Sequence, residues 1–185
     1  MELLAFLRNQ ARANRLANHR LHAAMRPLSP ADYVARRTSF FPSLAATLEH
    51  ILAVDLYYLA ALHGDREMER VWSTAPRGIA LAELAEAQRG CDERLIDHVD
   101  SLDAAALDDV IDLDRGGGRV QRERRVHVLA HLYNHQVHHR GQAHAMLAGT
   151  PVKPPQLDEF LMPSEAHLRE DDMRALGWSE AKLFW

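Results

Sequence analysis

Apolar positions recur along this chain with a helical period, which predicts four long helices and a short one. Leucine, isoleucine, valine and alanine return every three or four residues, as they do when one face of a helix packs on a core. The four long stretches cover residues 3–25, 43–63, 79–100 and 126–148. A short helix is expected near the C-terminus, over residues 164–176.

Prolines, glycines and capping residues place the helix ends. Pro27 cannot continue the hydrogen bonding of the first helix, and Gly64 is suited to end the second. Ser29 followed by Pro30 is typical of a helix start, because the hydroxyl caps a free N–H and proline fits the first turn. We therefore expect a short helical turn between the first two long helices.

One segment departs from the helical pattern. Val110 and Ile111 precede the triplet Gly116, Gly117 and Gly118, which tolerates the positive φ values of a tight turn. A small β-hairpin is therefore expected within residues 109–125. The sequence as a whole predicts an all-α protein, a four-helix bundle with this hairpin between helices 3 and 4 and a C-terminal helical tail. Residues 1–185 are expected to form one domain.

Composition narrows the class of protein further. The chain of 185 residues has one cysteine, Cys91, which excludes an internal disulfide and fits a reducing cytoplasm. The formal net charge of -4 argues against a nucleic-acid partner, because that affinity comes largely from lysine and arginine. The first apolar run, residues 3–7, is too short for a signal peptide, and no membrane span is expected.

Histidine is the unusual residue of this sequence. There are twelve, and six of them lie between residues 127 and 144. His135 and His139 are four residues apart, so a helix presents both imidazoles on one side, as in enzymes that bind zinc through an HExxH motif. The glutamate of that motif is missing, and so is any Glu-x-x-His of a di-iron bundle. Because His127 and His131 have the same spacing, spacing alone does not choose the pair.

A third donor must come from another helix. His50 lies in the most apolar helix of the chain, where an imidazole needs a partner. It is either a hydrogen-bonded core residue or a metal ligand. The presence of His135 and His139 on the fourth helix favours the interpretation of His50 as a metal ligand. Neutral imidazoles suit Zn²⁺, Ni²⁺ or Fe²⁺ better than Ca²⁺ or Mg²⁺. A catalytic site has about three protein ligands and an open position, whereas a structural site is closed.

Several runs of residues resemble those of one known family. The segment 134–142, Asn-His-Gln-Val-His-His-Arg-Gly-Gln, is similar to the fourth-helix motif of the DinB-like (damage-inducible) family. Phe40-Phe41-Pro42-Ser43, Thr47-Leu48-Glu49-His50 and Pro154-Pro155-Gln156-Leu157-Asp158 occur in the expected order. Arg12 and Leu16 depart from the family, which commonly has an aromatic residue there. The resemblance spans nearly the whole chain.

This resemblance implies a fold and a set of ligands. The fold is an up-down-down-up four-helix bundle, often dimeric, with one three-histidine metal site. Carried over to this chain, the metal ligands are His50, His135 and His139. His138 and Gln142 fall beside them, where Gln142 either orients a ligand or packs.

Two further residues of the motif have expected roles. Arg140 is expected to form an interhelical ion pair with Asp55, and Gly141 to let another helix approach closely. Cys91 is expected to be a small packing residue of the third helix.

The function that the resemblance implies is a metalloenzyme of the S-transferase or hydrolase type. It would activate a thiol or water at the three-histidine site and act on a low-molecular-weight thiol or another small molecule, as a homodimer in the cytoplasm. The alternative is a non-catalytic dimeric stress-response protein with a structural metal. A third reading is a metal-free bundle whose histidines form only hydrogen bonds. Because one fold supports several functions, the activity is not fixed by the family.

Overall fold

A computed structural model of the chain describes residues 2–65, 67–158 and 162–183. Within that part it is mostly helical, with one two-stranded sheet. The helices and strands are α1 (Leu3–Met25), α2 (Pro30–Val34), α3 (Leu44–Leu62), α4 (Met68–Thr74), α5 (Leu81–Ser101), β1 (Val110–Asp114), β2 (Val120–Arg124), α6 (Arg125–Leu147) and α7 (Glu170–Leu176).

The four long helices lie within two residues of the predicted bounds. Ser43 caps the second of them, because its hydroxyl accepts a hydrogen bond from the Ala46 N–H. The tail differs from the prediction, since Pro163–Arg169 is a 3-10 helix and only Glu170–Leu176 is α-helical. Helix α4 was not predicted, because a seven-residue helix with four polar residues carries little apolar periodicity.

The long helices pack around one core. Helix α1 contacts α5 and α6, and α3 contacts the same two helices from the other side. Most of α3 is buried, with apolar side chains facing both neighbours. By length and composition α3 could cross a membrane, contrary to the expectation that no segment comes close. Because 78% of that apolar window is buried inside the protein, α3 has the character of a core helix.

The β-hairpin forms where it was predicted and closes one side of the helices. Its strands are antiparallel, with Val110 opposite Arg124 and Asp114 opposite Val120. All three glycines of the turn have positive φ. Ile111 and Leu113 are buried in the core, and the Tyr57 hydroxyl of α3 donates to the Asp114 carbonyl at 2.6 Å. The hairpin is therefore fixed against the helix that carries His50.

Candidate metal centre

Helices α3 and α6 bring three histidines together. One ring nitrogen from each of His50, His135 and His139 lies within 4.8 Å of the others. The Nε2 atoms of His50 and His135 are 3.0 Å apart. His127 instead is exposed, with Nδ1 3.6 Å from a Glu123 carboxylate oxygen. The structure thus brings together the three residues that the resemblance implies. The alternative pair, His127 and His131, which has the same spacing, is not part of this cluster.

Burial keeps the three imidazoles neutral at neutral pH. It lowers the pKa of His50 to about 4, with further lowering by His139 and Arg77. It lowers the pKa of His135 to about 3, and the neighbouring histidines add to this effect. The pKa of His139 is also lowered by burial. A neutral imidazole has a free lone pair, which is the form that binds a metal ion.

Gln142 contacts the cluster through His139. Its Oε1 lies 2.9 Å from Nδ1 of His139, so that nitrogen donates and Nε2 keeps its lone pair. The Gln142 amide nitrogen donates to Nε2 of His138 at 3.1 Å. His138 therefore contacts the cluster through Gln142 and through its own ring, 4.7 Å from that of His139. That these contacts tune a metal ligand stays a prediction.

Aromatic rings cover the cluster. The Phe41 ring centroid lies 4.3 Å from that of His50 and 5.5 Å from that of His139. Trp72 of α4 stands edge-on to His50 at 6.4 Å. These rings shield the imidazoles from water and limit how far they can turn. On the side of His135 a cavity of about 430 Å³ opens between α3, α4, α6 and the hairpin.

The expected ion pair of Arg140 with Asp55 is wrong. Arg140 donates from Nη1 to Oδ1 of Asn14 and of Asn18, both on α1, and forms no ion pair with Asp55 in the described part of the chain. The reason is that α6 packs against α1, which places the side-chain carbonyls of the two asparagines within hydrogen-bonding distance of the guanidinium. The expected close approach at Gly141 is also wrong, because a Cβ there would meet nothing within 4 Å.

Arg140 belongs to a buried network that joins the helices. Asn14 and Asn18 donate to Asp92 of α5, and Gln88 donates to both Asp92 and Asp55. Burial, with the nearby Asp92 charge, raises the pKa of Asp55 to about 8. Burial raises the pKa of Asp92 to about 6, against the opposing hydrogen bonds. Asp55 therefore holds its proton more tightly than Asp92, whose ionised form is favoured by hydrogen bonds and by the charges of Arg15 and Arg140.

The donor set of the histidine cluster fits a divalent transition metal. Ligand nitrogens around one zinc ion lie at most about 4 Å apart, so a contraction of about 1 Å would bring the three into range. Nδ1 of His135 is buried without a hydrogen-bond partner among the described residues, while Nε2 of the same ring contacts Nε2 of His50 within the cluster. No thiol or carboxylate of the described chain joins the cluster, so the candidate ligand set consists of three histidines.

The fold and this cluster define a class: helical proteins with a candidate three-histidine metal centre between two packed helices. The sequence model of the DinB family matches residues 5–173, and the chain belongs to that family. No curated protein matches the chain.

Sequence reasoning missed the surroundings of the cluster. Trp72 lies on the unpredicted helix α4, and Arg115 reaches the cavity only because the hairpin folds onto α3. The buried network left a signal that could have been used. Asn14 and Asn18 are four residues apart, and so are Gln88 and Asp92, so each pair faces one side of its helix.

Proposed function

We propose that this protein is a metalloenzyme of the S-transferase or hydrolase type, in which His50, His135 and His139 hold one divalent transition ion. The observation that carries the proposal is the convergence of three neutral imidazoles within 4.8 Å. Zn²⁺, Ni²⁺ and Fe²⁺ are the ions that such nitrogen donors suit. An ion held there supplies Lewis acidity, which lowers the pKa of a thiol or of water bound beside it.

The cavity supports a catalytic centre rather than a structural metal site. A structural site is closed by four protein ligands, whereas here three histidines converge and one of them, His135, lines an open cavity. A substrate of small size would reach the cluster through this cavity, whose volume is in the range of ligand pockets.

The residues around the cluster have separable roles in this proposal. Gln142 accepts the Nδ1 proton of His139 and so holds that ring in the tautomer with a free Nε2. Phe41 covers His50 and His139 and excludes water from that side. Buried Cys91 is a packing residue, and burial raises the pKa of its thiol, which makes it a poor nucleophile.

The proposal includes the up-down-down-up order of the long helices. Its support is that α3 and α5 are neighbours joined by a long connection, residues 63–80. Parallel neighbours need such a connection, because the chain must return along the bundle before the next helix begins.

We also propose a cytoplasmic homodimer. Leu3, Phe6 and Val137 expose apolar side chains on the adjacent helices α1 and α6, which supports a contact between two copies there. Light scattering at micromolar concentration should report a dimer, and Phe6→Glu should shift it to monomer. A monomer at all concentrations would contradict this part of the proposal.

The test of the metal centre is elemental analysis. The protein, stripped with a chelator and reconstituted separately with Zn²⁺, Ni²⁺ and Fe²⁺, should retain about one equivalent of ion per chain. It should then be assayed with small thiols and electrophilic acceptors, and with ester and amide substrates. Failure to retain any of these ions would overturn the proposal. Retention of an ion with no turnover in either assay would favour the structural-metal alternative.

A further inference from the structure

The cavity beside His135 is lined by aromatic side chains, which form two rows that extend from the histidine cluster. On one side His131 lies 6.4 Å from His135 and Tyr58 lies 5.2 Å from His131, between ring centroids. On the other side Trp72 lies 6.4 Å from both His50 and Tyr57. Tyr57 and Tyr58 then meet at 5.1 Å. The space between these two rows is therefore flat-sided and suited to a small organic body.

Arg115 closes the far end of this cavity. Its guanidinium carbon lies 5.8 Å from the Tyr57 ring centroid and 5.9 Å from that of Tyr58. Nε donates to Oε1 of Gln121 at 3.0 Å, and Nη2 contacts the Tyr58 hydroxyl at 3.4 Å. The hairpin turn and the two tyrosines thus hold the guanidinium in one place, which is what a bidentate contact with a planar anion requires.

The charges around Arg115 leave it open to a ligand. It is the one Lys or Arg among the residues that line the cavity, and it forms no ion pair with any described residue. The Asp114 carboxylate accepts the Gly116 N–H at 2.8 Å, which occupies one of its oxygens. Glu69 is exposed and also lines the cavity. Because neither of these two carboxylates forms an ion pair with Arg115, the guanidinium between the aromatic walls can bind a carboxylate from outside.

We propose that the substrate of this site is a small thiol that carries a carboxylate. Arg115 binds the carboxylate, Tyr57, Tyr58 and Trp72 hold the body between their rings, and the thiol end lies at His135. The inference rests on the proposed function for the thiol end. The carboxylate end rests on the cavity alone, so the two parts can fail separately.

The first experiment uses the metal-free protein. The indole N–H of Trp72 is followed by ¹H–¹⁵N NMR, assigned by its loss in Trp72→Phe, while three probes are added: 3-mercaptopropionate, 2-mercaptoethanol and 2-aminoethanethiol. We expect 3-mercaptopropionate to bind about tenfold or more tightly than the neutral thiol, as for one hydrogen-bonded charge pair. The second experiment repeats the ranking on the cobalt-loaded protein, with the sulfur-to-cobalt absorption band as readout.

Variants test whether Arg115 sets the ranking. Arg115→Gln should remove the preference for the carboxylate and leave the binding of 2-mercaptoethanol unchanged, and Arg115→Lys should restore part of it. Gln121→Ala removes a hydrogen bond that positions Arg115 but keeps the charge, so the preference should weaken without disappearing. Arg122→Gln, on the exposed face of the hairpin, should leave it intact. Hairpin amide shifts report whether each variant keeps its fold.

The outcomes separate the two proposals. Equal binding of the three probes, tightest binding of 2-aminoethanethiol, or a preference that survives Arg115→Gln would overturn the assignment of a carboxylate. If no ion is retained but the NMR ranking holds, the metalloenzyme proposal fails and the carboxylate site stands. If the cobalt band forms equally with all three thiols, the metal centre stands and the carboxylate site falls.

Discussion

Two polar clusters lie inside this helical protein, and they differ in how their hydrogen bonds are satisfied. In the network around Asp92, amides and a guanidinium bond one another across α1, α5 and α6. In the histidine cluster the three imidazoles are neutral, and Nε2 of His50 faces Nε2 of His135 at 3.0 Å. In the first cluster most polar atoms have partners of the opposite kind, whereas in the second three neutral ring nitrogens converge within 4.8 Å of one another.

The two clusters are therefore suited to different roles in this fold. A buried charge with its partners in place holds helices together, and its loss is costly because the remaining charge stays buried. Neutral imidazole nitrogens that converge on one point can change tautomer and bind a cation with their lone pairs instead of bonding one another. We therefore expect the two clusters to respond differently to substitution: the network in stability, the histidines in ligand binding.

The largest effect is expected from Arg140→Met. The change leaves Oδ1 of Asn14 and of Asn18 without their buried donor and removes one of the two cations, Arg140 and Arg15, that stabilise the charge of Asp92. It should therefore lower the free energy of unfolding by about 3–5 kcal/mol. Urea unfolding of the metal-free protein would measure this, with Arg122→Met as an exposed control that leaves stability unchanged. The folded fraction of Arg140→Met should still retain metal. A loss of metal with unchanged stability would break the distinction between the clusters.

His139→Ala should reduce metal binding more than stability, the opposite of Arg140→Met. Removing one of three donors should weaken metal binding by about 100-fold or more, beyond the usual effect of an outer contact. The stability of the metal-free protein should change less than in Arg140→Met. Competition with a chromophoric chelator would measure the affinity, and His127→Ala, on the exposed side of the same helix, is the control. Undiminished affinity in His139→Ala would exclude it as a ligand.

The pH dependence of stability should reveal the raised pKa of Asp55. Because its folded pKa is raised to about 8, the folded state binds more protons than the unfolded state from about pH 4 upward, so this group lowers stability as pH rises. Asparagine resembles the protonated acid, so the free energy of unfolding of Asp55→Asn relative to the parent should rise by about 3 kcal/mol between pH 5 and pH 7. Urea unfolding of both proteins at these pH values checks it. A difference that is independent of pH would show Asp55 ionised throughout.

The smallest effect is expected from Gln142→Leu, which removes the acceptor of the His139 Nδ1 proton. Metal affinity should fall about tenfold, since the ring loses its fixed tautomer. Gln142→Glu keeps an acceptor and should retain most of the affinity. Equal affinities for the parent and the leucine variant would show that Gln142 only packs.

The long helices and the hairpin could be predicted because local rules decide them. The helical period of α3, the Ser43 cap and the glycine triplet of the turn each act within a few residues. The spacing of four residues likewise predicted that two histidines of α6 lie on the same side of that helix. The choice of His135 and His139 over His127 needed the resemblance to a family, because every pair of that spacing looks alike along one helix.

The four long helices, the hairpin, the DinB family and the three converging histidines could all be recognised in the sequence alone. The side chains that surround the histidines could be identified only from the packing of distant segments. Arg140 bonds Asn14 and Asn18 instead of Asp55 because α6 packs beside α1, and Arg115 meets Tyr58 because the hairpin folds onto α3. These contacts join residues far apart in the chain, and neither period nor capping constrains which distant faces meet.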